Sequence, residues 1–321
     1  MILATLAIVI GLPVLIWSAE RFIHGASFTA SHFGISPLFI GMFIIGFGTS
    51  APEIIVSIFS ALQGNGGLAL GNAFGSNIAN ITLILGTTAI LSPIAVKSEI
   101  VRKEIPILLV VTLFTVWLLF DLQLSFQDAF ALLGVFLMLI AWTVWQTMQK
   151  REDELAIQLA EELVPAKPSI KDYLIWLFVG LIILIISSRV VVWGAVEVAR
   201  FFEVSDVIIG LTIVGIGTSL PELISSIIAV RKNEHELAIG NIVGSNLFNT
   251  LAVIGLAGII QPVSVDSSFF YRDGLLMLGV TILLLVLALG IRGPGKISRW
   301  DGLALLLCFL GYNFYLINTQ F

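Results

Sequence analysis

One stretch of this chain returns nearly unchanged 169 residues later, and this duplication constrains the fold more than any other feature. The repeated segments are GFGTSAPE at 46–53 with GNAFGSNIAN at 71–80, and GIGTSLPE at 215–222 with GNIVGSNLFN at 240–249. At this constant offset, residues 11–96 align with 180–265 without a gap and share 34 identities in 86 positions. Apolar composition alone would match leucine and isoleucine, but not glycine, proline, glutamate and asparagine. The chain therefore contains two related halves.

The composition indicates that both halves lie in a membrane. Of the 321 residues, 58% are hydrophobic and 12% are charged, and the mean hydropathy is +1.06. A soluble domain carries about 25% charged residues. A membrane crossing needs about 20 apolar residues, and its backbone must be satisfied within helices or a closed barrel. The apolar runs are far too long for barrel strands, and the N-terminus lacks the features of a cleaved signal peptide, so the first run is read as a helix.

We predict an all-α membrane protein with ten transmembrane helices in two inverted five-helix repeats. The predicted spans are about 2–22, 37–61, 68–92, 104–120, 129–148, 172–192, 206–230, 237–260, 273–291 and 301–318. Residues 1–148 form the first repeat, 149–170 a polar linker and 171–321 the second repeat. An odd number of spans, five, separates equivalent helices, so the second repeat is upside down relative to the first. Inverted repeats are typical of alternating-access transporters.

The basic residues predict the orientation. Thirteen of the 16 lysines and arginines fall on one side of the predicted membrane, and only Arg189, Arg200 and Arg272 fall on the other. By the positive-inside rule, both termini face out and the linker is cytoplasmic, in a multi-pass protein of the cell (inner or plasma) membrane. No basic stretch suits nucleic acid. Cys308 is the single cysteine, which excludes an intrachain disulfide and a thiolate metal cluster.

Two acids stand out because they lie within predicted spans. All eight aspartates fall in loops or at predicted helix ends, whereas Glu53 and Glu222 lie near the middle of their spans. A charge at the bilayer centre costs at least about 2.5–3.5 kcal/mol, so an acid at this depth indicates function. Glu53 and Glu222 are equivalent in the inverted repeats, and we expect them to meet near the midplane.

The residues around each acid predict a kinked, oxygen-lined helix. Pro52 and Pro221 lack an N–H and disturb the preceding helical turn, so carbonyls there, including those of Gly46 and Gly215, can turn toward a ligand. Hydroxyls stand four and three residues before each acid. They belong to Thr49 and Ser50, and to Thr218 and Ser219. Unwound backbone at this depth is tolerated where it lines a polar cavity.

The third and eighth spans each add a polar stripe at helical spacing. The stripes are Asn72, Ser76 and Asn80, and Asn241, Ser245 and Asn249. We favour Ser76, Asn80, Ser245 and Asn249 as ligands. Asn77 and Asn246, off the stripe, are read as contacts that join helices. Gly71 with Gly75, and Gly240 with Gly244, form small-xxx-small steps that let neighbouring backbones approach.

This set of groups predicts a hard-cation site. Carboxylates, hydroxyls, amide oxygens and freed carbonyls suit Ca²⁺, which takes six to eight oxygens at about 2.3–2.6 Å. Two glutamates neutralise one Ca²⁺. The three histidines, His24, His32 and His235, lie at helix ends away from this set, which disfavours zinc, and Mg²⁺ sheds its waters reluctantly.

The paired GTS-x-PE and GN-x-x-GSN-x-x-N segments resemble the two alpha-repeats of the sodium/calcium exchanger family in its compact prokaryotic form. The resemblance implies ten helices, with the second, third, seventh and eighth around four adjacent cation sites, and first and sixth helices that slide as a gate. The implied ligands are Thr49, Ser50, Glu53, Ser76, Asn80, Thr218, Ser219, Glu222, Ser245 and Asn249, with the backbone oxygens of Gly46 and Gly215.

The chain departs from the family pattern at Asn249, where some members carry an aspartate. Loading of K⁺ together with Ca²⁺ is therefore disfavoured, and one possible proton carrier is removed. The linker is also too short for the calcium-sensing domains of eukaryotic relatives.

The predicted function is Na⁺/Ca²⁺ antiport by alternating access, not an enzymatic reaction. The expected partners are Na⁺, Ca²⁺ and the lipid bilayer, with no cofactor, no nucleic acid and no obligatory protein partner. A Ca²⁺/H⁺ antiporter using the same glutamates is the alternative. A cation channel is disfavoured by the inverted repeat. An intramembrane protease is disfavoured because no aspartate pair or histidine lies in a predicted span beside Ser50 or Ser219.

Overall fold

The computed structural model describes residues 1–98, 100–158, 170–203, 215–289 and 295–320. The chain is helical apart from short loops and four two-residue strands. The helices are α1 Ile2–Phe33, α2 Pro37–Thr49, α3 Ala51–Leu62, α4 Gly66–Leu91, α5 Ile100–Asp121, α6 Phe126–Gln158, α7 Ile170–Phe201, α8 Gly215–Thr218, α9 Leu220–Arg231, α10 His235–Ile260, α11 Ser267–Ala288 and α12 Arg299–Gln320. The strands are β1 Ile94–Ala95, β2 Gln123–Leu124, β3 Val263–Ser264 and β4 Lys296–Ile297.

Length and apolarity identify a helical membrane protein. Among the described residues, seven helices are long and apolar enough to cross a bilayer, and the bent pair α2–α3 makes eight. The predicted span 206–230 begins at residues 206–214, which lie outside the described residues, and the predicted span 301–318 corresponds to the 22-residue helix α12. The count of ten crossings therefore stays a prediction.

The linker also lies partly outside the described residues. Helix α6 continues through Gln158, beyond the predicted boundary at 148, and residues 159–169 are not described. The division into 1–148, 149–170 and 171–321 remains an expectation.

Helices α1 and α7, which are equivalent in the two repeats, pack along each other. Glycines mark the crossings, because a Cβ added to Gly25 would lie 2.7 Å from the backbone of Tyr173 and of Leu177. A Cβ added to Gly180 would likewise lie 2.8 Å from the backbone of Phe22. Small residues thus bring these two backbones together, as is common for helices in lipid.

The remaining helices form the other part of the bundle, with α4 and α10 the most buried of the candidate spans. Helix α10 lies against α2, α4 contacts α3, and α10 contacts α9. The short strands pair antiparallel, β1 with β4 and β2 with β3, and tie loops of the two halves together. The strands were not predicted, because two-residue pairings leave no periodic pattern.

Within the described part of the chain, five helical segments are wound as π-helix, and four of them form equivalent pairs in the two repeats. The pairs are Asn80–Ile84 with Phe248–Val253, and Ile100–Glu104 with Phe270–Gly274. The first pair begins at or next to the predicted ligands Asn80 and Asn249. Single π-turns inside α-helices are frequent at functional sites, since the wider turn redirects a side chain.

Candidate functional site

Each predicted acid follows a break in its helix. Helix α2 ends at Thr49 and α3 begins at Ala51, with a 45° bend between them. At the break, Ser50 has φ −82° and ψ 2°, and the equivalent Ser219 has φ −92° and ψ 10°. This bridge region of backbone space is typical of active-site residues. A proline in the first turn of α3 and of α9 starts the next helix without needing an N–H partner.

The breaks bring the two acids into one buried cluster. Glu53 is 0% exposed and Glu222 is 1% exposed. Ser219 Oγ donates to Glu53 Oε1 at 3.4 Å, and Ser50 Oγ donates to Glu222 Oε1 at 3.1 Å. Each carboxylate is thus held by the serine at the break of the opposite repeat.

Four buried oxygens of the predicted ligands lack a hydrogen-bond donor among the described residues. They are Glu53 Oε2, Glu222 Oε2, Asn80 Oδ1 and Asn249 Oδ1. Carboxylate and amide oxygens can only accept hydrogen bonds, and a buried acceptor without a partner is costly. Such oxygens can be satisfied by a hydrogen-bond donor or by a cation.

The remaining predicted ligands differ in their burial and in their contacts. Thr49 is fully buried, and Ser245 Oγ lies 3.4 Å from the carbonyl oxygen of Gly46. Ser76 is 5% exposed. Thr218 ends the short helix α8 and is partly exposed, and Gly215 begins that helix. The carbonyl of Gly217, freed by the following proline, accepts a hydrogen bond from Ser188 Oγ of α7 at 3.3 Å.

The asparagines read as contacts between helices do join the two halves. Asn80 Nδ2 donates to Asn246 Oδ1 at 2.9 Å, and Asn77 Nδ2 donates to Thr250 Oγ1 at 2.7 Å. Thr250 was missed in the sequence because its equivalent in the first repeat is Ile81, so the duplication did not mark it. Asn77 Oδ1 also has no donor among the described residues.

The small-xxx-small steps behave as predicted in α10. A Cβ added to Gly240 would lie 2.7 Å from the carbonyl of Leu38, and Gly244 approaches the backbone of Met42 still more closely. For Gly71 and Gly75 no described residue lies within 4 Å of an added Cβ, and the equivalents of Leu38 and Met42 fall at 207 and 211, outside the described residues. That half of the prediction is untested.

Other titratable groups lie apart from this cluster. Asp273, placed at a helix end by the sequence, is buried in the second turn of α11 and accepts a hydrogen bond from Tyr312 at 2.7 Å. Glu104, its equivalent in the first repeat, is paired with Lys103 at 3.3 Å. Among the described residues, no group of three or more His, Cys, Asp and Glu side chains could hold a metal. The oxygens that can hold a cation are therefore mainly hydroxyl, amide and carbonyl oxygens around two acids.

A duplication with broken helices around buried polar groups is typical of secondary transporters. The sequence profile described as "Sodium/calcium exchanger protein" matches residues 3–145 and 173–318. The chain therefore belongs to the sodium/calcium exchanger family, whose members are transporters and not enzymes, as the two motifs suggested.

Individual proteins agree with this assignment. The chain is 44% identical to the "Putative antiporter CaxA" of Alkalimonas amylolytica, over 99% of this chain and 100% of that protein. It is 40% identical to "Inner membrane protein YrbG" of Escherichia coli (strain K12), over 89% of each. The crystal structure of the sodium-calcium exchanger NCX_Mj soaked with zero Na⁺ and Ca²⁺ superposes with a TM-score of 0.83 at 29% identity, covering 100% of this chain and 99% of that one. Together these matches support cation antiport in a membrane.

Proposed function

We propose that this protein exchanges Na⁺ for Ca²⁺ across the cell membrane, binding either ion between Glu53 and Glu222. The observation that carries the proposal is the group of four buried acceptor oxygens without donors, two of them carboxylate oxygens from opposite repeats. Hydrogen bonds from Ser50 and Ser219 hold the other two carboxylate oxygens. Ions that prefer oxygen ligands, as Ca²⁺ does, fit this arrangement.

The charge of the site explains why exchange is obligatory. Two carboxylates carry two negative charges, which one Ca²⁺ or several Na⁺ neutralise. Moving bare charges through a bilayer is costly, so only the loaded site passes through the occluded state. The proposed ligands are Thr49, Ser50, Glu53, Ser76, Asn80, Thr218, Ser219, Glu222, Ser245 and Asn249, with the backbone oxygens of Gly46 and Gly215.

The family resemblance supplies the stoichiometry of the proposal, three Na⁺ for one Ca²⁺. Each cycle then moves one net charge, and the membrane potential contributes about 2.3 kcal/mol per 100 mV. With ten crossings, both termini outside and a cytoplasmic linker, this potential favours Ca²⁺ extrusion. The gate in this proposal is the α1–α7 pair, which moves past the rest of the bundle.

The test is ⁴⁵Ca²⁺ uptake into Na⁺-loaded proteoliposomes. Native protein is expected to accumulate Ca²⁺ only with an outward Na⁺ gradient, and Glu53→Gln and Glu222→Gln are each expected to abolish that uptake. Glu104→Gln is the matched control, because this acid is also buried but pairs with Lys103 away from the site. Na⁺-driven uptake that persists in both site variants would contradict the assignment of the site.

The same vesicles test whether H⁺ instead of Na⁺ is the ion exchanged for Ca²⁺. Uptake driven by a pH gradient without Na⁺, and lost in Glu53→Gln, would instead establish Ca²⁺/H⁺ exchange at the same acids. Native protein that moves Ca²⁺ under neither gradient would contradict antiport itself.

A further inference from the structure

Two asparagines beside the acids make the same pair of bonds in both repeats. Asn72 Nδ2 donates to the backbone carbonyl of Glu53 at 3.2 Å and to Ser57 Oγ at 3.0 Å. The equivalent Asn241 Nδ2 donates to the backbone carbonyl of Glu222 at 3.1 Å and to Ser226 Oγ at 2.9 Å. Each amide therefore ties the polar stripe of α4 or α10 to the helix that carries the acid.

These bonds settle which way the Asn241 amide faces. A backbone carbonyl only accepts hydrogen bonds, so the atom beside the Glu222 carbonyl must be the nitrogen. The amide oxygen then points the other way, where it lies 3.0 Å from Thr49 Oγ1 of the opposite repeat. Asn241 is 1% exposed, so water does not compete for this contact.

The orientation of the Thr49 hydroxyl follows from its neighbours. Thr49 Oγ1 lies 3.0 Å from the carbonyl of Ile45, 3.4 Å from the carbonyl of Gly46 and 3.0 Å from Asn241 Oδ1. The Glu222 carboxylate also interacts with this hydroxyl, but Asn241 Oδ1 and the Ile45 carbonyl are the acceptors that lie at 3.0 Å. All of these neighbours accept hydrogen bonds, so the two close acceptors direct the single hydroxyl proton away from Glu222. The lone pairs of Thr49 are then directed away from these acceptors, and a hydroxyl binds a cation only through its lone pairs.

We propose that Asn241 is a positioning residue that acts through Thr49 and does not itself touch the ion. Its amide holds the proton of Thr49 away from the cation and so presents the hydroxyl oxygen as a ligand. The contact crosses from the second repeat to the first, so it makes the ligand set of one repeat depend on the fold of the other. This inference rests on the proposed cation site between Glu53 and Glu222.

The experiment is a double-mutant cycle on equilibrium ⁴⁵Ca²⁺ binding to the purified protein in detergent, without transport. Thr49→Val and Asn241→Ala are each expected to weaken binding roughly tenfold, the size of one well-placed hydrogen bond to a charged site. The double variant is expected to bind more weakly than Thr49→Val alone only by the factor that loss of the two bonds to Glu222 and Ser226 causes, which the Asn72→Ala control measures. Losses that multiply to roughly a hundredfold would overturn the inference.

Asn72→Ala is the matched control for the shared structural role. It removes the same two donor bonds from the other repeat, and Thr49 is not among its bonded partners in the structure. Its effect is therefore expected to multiply with that of Thr49→Val. If Asn72→Ala and Asn241→Ala behave alike in their cycles with Thr49→Val, Asn241 has only a structural role and the inference fails.

A second variant and a transport measurement complete the experiment. If Asn241→Ala does not give folded protein, the cycle is run with Asn241→Ser, whose hydroxyl is too short to reach Thr49. Na⁺-driven uptake is measured alongside, with the expectation that Asn241→Ala raises the KM for Ca²⁺ more than it lowers the maximal rate. Native protein that neither binds Ca²⁺ nor transports it would defeat the proposed function, whereas a multiplying cycle in active protein defeats this inference alone.

Discussion

The two ends of the kinked helices differ although the repeats that build them are alike. Phe59, on α3, is 58% exposed, whereas its equivalent Ile228, on α9, is 4% exposed. Helix α1 packs along α9, and among the described residues α7 has no comparably extensive contact with α3. The two repeats are therefore packed unequally where α1 and α7 meet the kinked helices. The more extensive contact, between α1 and α9, lies at the end that the basic residues predict to be cytoplasmic.

The end at which α1 packs on α9 also carries polar contacts between α1 and the loop after α9. Lys232 Nζ donates to the backbone carbonyl of Glu20 at 3.2 Å, and Ser27 Oγ donates to a carboxylate oxygen of Glu234. We name these two contacts the inner latch. Duplicated residues thus build the shared cluster of oxygens, whereas residues that have diverged distinguish the two faces.

The equivalent positions at the other end do not carry the same groups. Lys232 corresponds to the uncharged Gln63 and Glu234 to Asn65, and Ser27 corresponds to Val196, whose side chain cannot form a hydrogen bond. A transporter with two identical ends would have no preferred side. In the proposed alternating-access cycle, we expect divergence at these few positions to favour one conformer over the other, since a tenfold population shift needs only about 1.4 kcal/mol.

The largest expected difference between the repeats is at the equivalent residues Asn80 and Asn249, which match in sequence but differ in their hydrogen bonds. Asn80 Nδ2 donates to Asn246 Oδ1, whereas the equivalent bond from Asn249 Nδ2 is absent, because Asn77 Oδ1 has no donor among the described residues. Asn80→Asp replaces that donor with a charged acceptor facing another acceptor, and we expect it to destabilise the cation-free protein by about 3 kcal/mol more than Asn249→Asp. Thermal unfolding of both variants measures the difference.

The pH dependence of this difference has a defined sign. As pH falls, the carboxyl introduced at position 80 becomes protonated and can again donate to Asn246, so the gap between the two variants should shrink. A gap that is absent at neutral pH, or that widens on acidification, would mean that Asn80 and Asn249 are equivalent after all.

Packing at the two ends gives the next largest effect. Ile228→Ala leaves a cavity in a buried position, and we expect it to lower the free energy of unfolding by roughly 2 kcal/mol. This is the low end of the range for soluble cores, because lipid is as apolar as the protein interior. Phe59→Ala removes a larger side chain, but that side chain is mostly exposed, so we expect a smaller decrease in the free energy of unfolding. Denaturation of both variants in detergent measures the two decreases. Equal losses would indicate that α3 and α9 are packed alike.

Much of the arrangement of the two acids and their hydrogen-bond partners could be predicted from the sequence, because each of these residues occurs in both repeats. The offset of 169 residues paired Glu53 with Glu222 and identified the serines that bond them, since each feature appears twice. The helical spacing of Asn72, Ser76 and Asn80 placed them on one face. Polar residues in an apolar chain are few, so their positions carried most of the information.

Features set by tertiary packing could not be read in this way. Helix α1 was predicted to end near residue 22 but continues to Phe33, because an apolar window records only the part that lies in lipid. The orientation of the Asn241 amide depends on the carbonyl of Glu222, which only the fold brings within reach. The unequal packing of α1 and α7 likewise depends on tertiary contacts, although some residues involved, such as Ser27 and Val196, have diverged between the repeats.

The smallest expected effect comes from the inner latch. Removing the contact between Ser27 and Glu234 with Glu234→Ala costs about 1 kcal/mol, which shifts the balance of conformers about fivefold toward opening at that end. Spin labels on cysteines introduced at the exposed positions 20 and 231, with Cys308→Ser to remove the native thiol, report this as a growing population of longer distances. Asn65→Ala, the equivalent position at the opposite end, is the control and should leave the distances unchanged. If instead both variants shift the distances equally, the latch does not distinguish the two ends, and their asymmetry lies in the apolar packing of α1 against α9 alone.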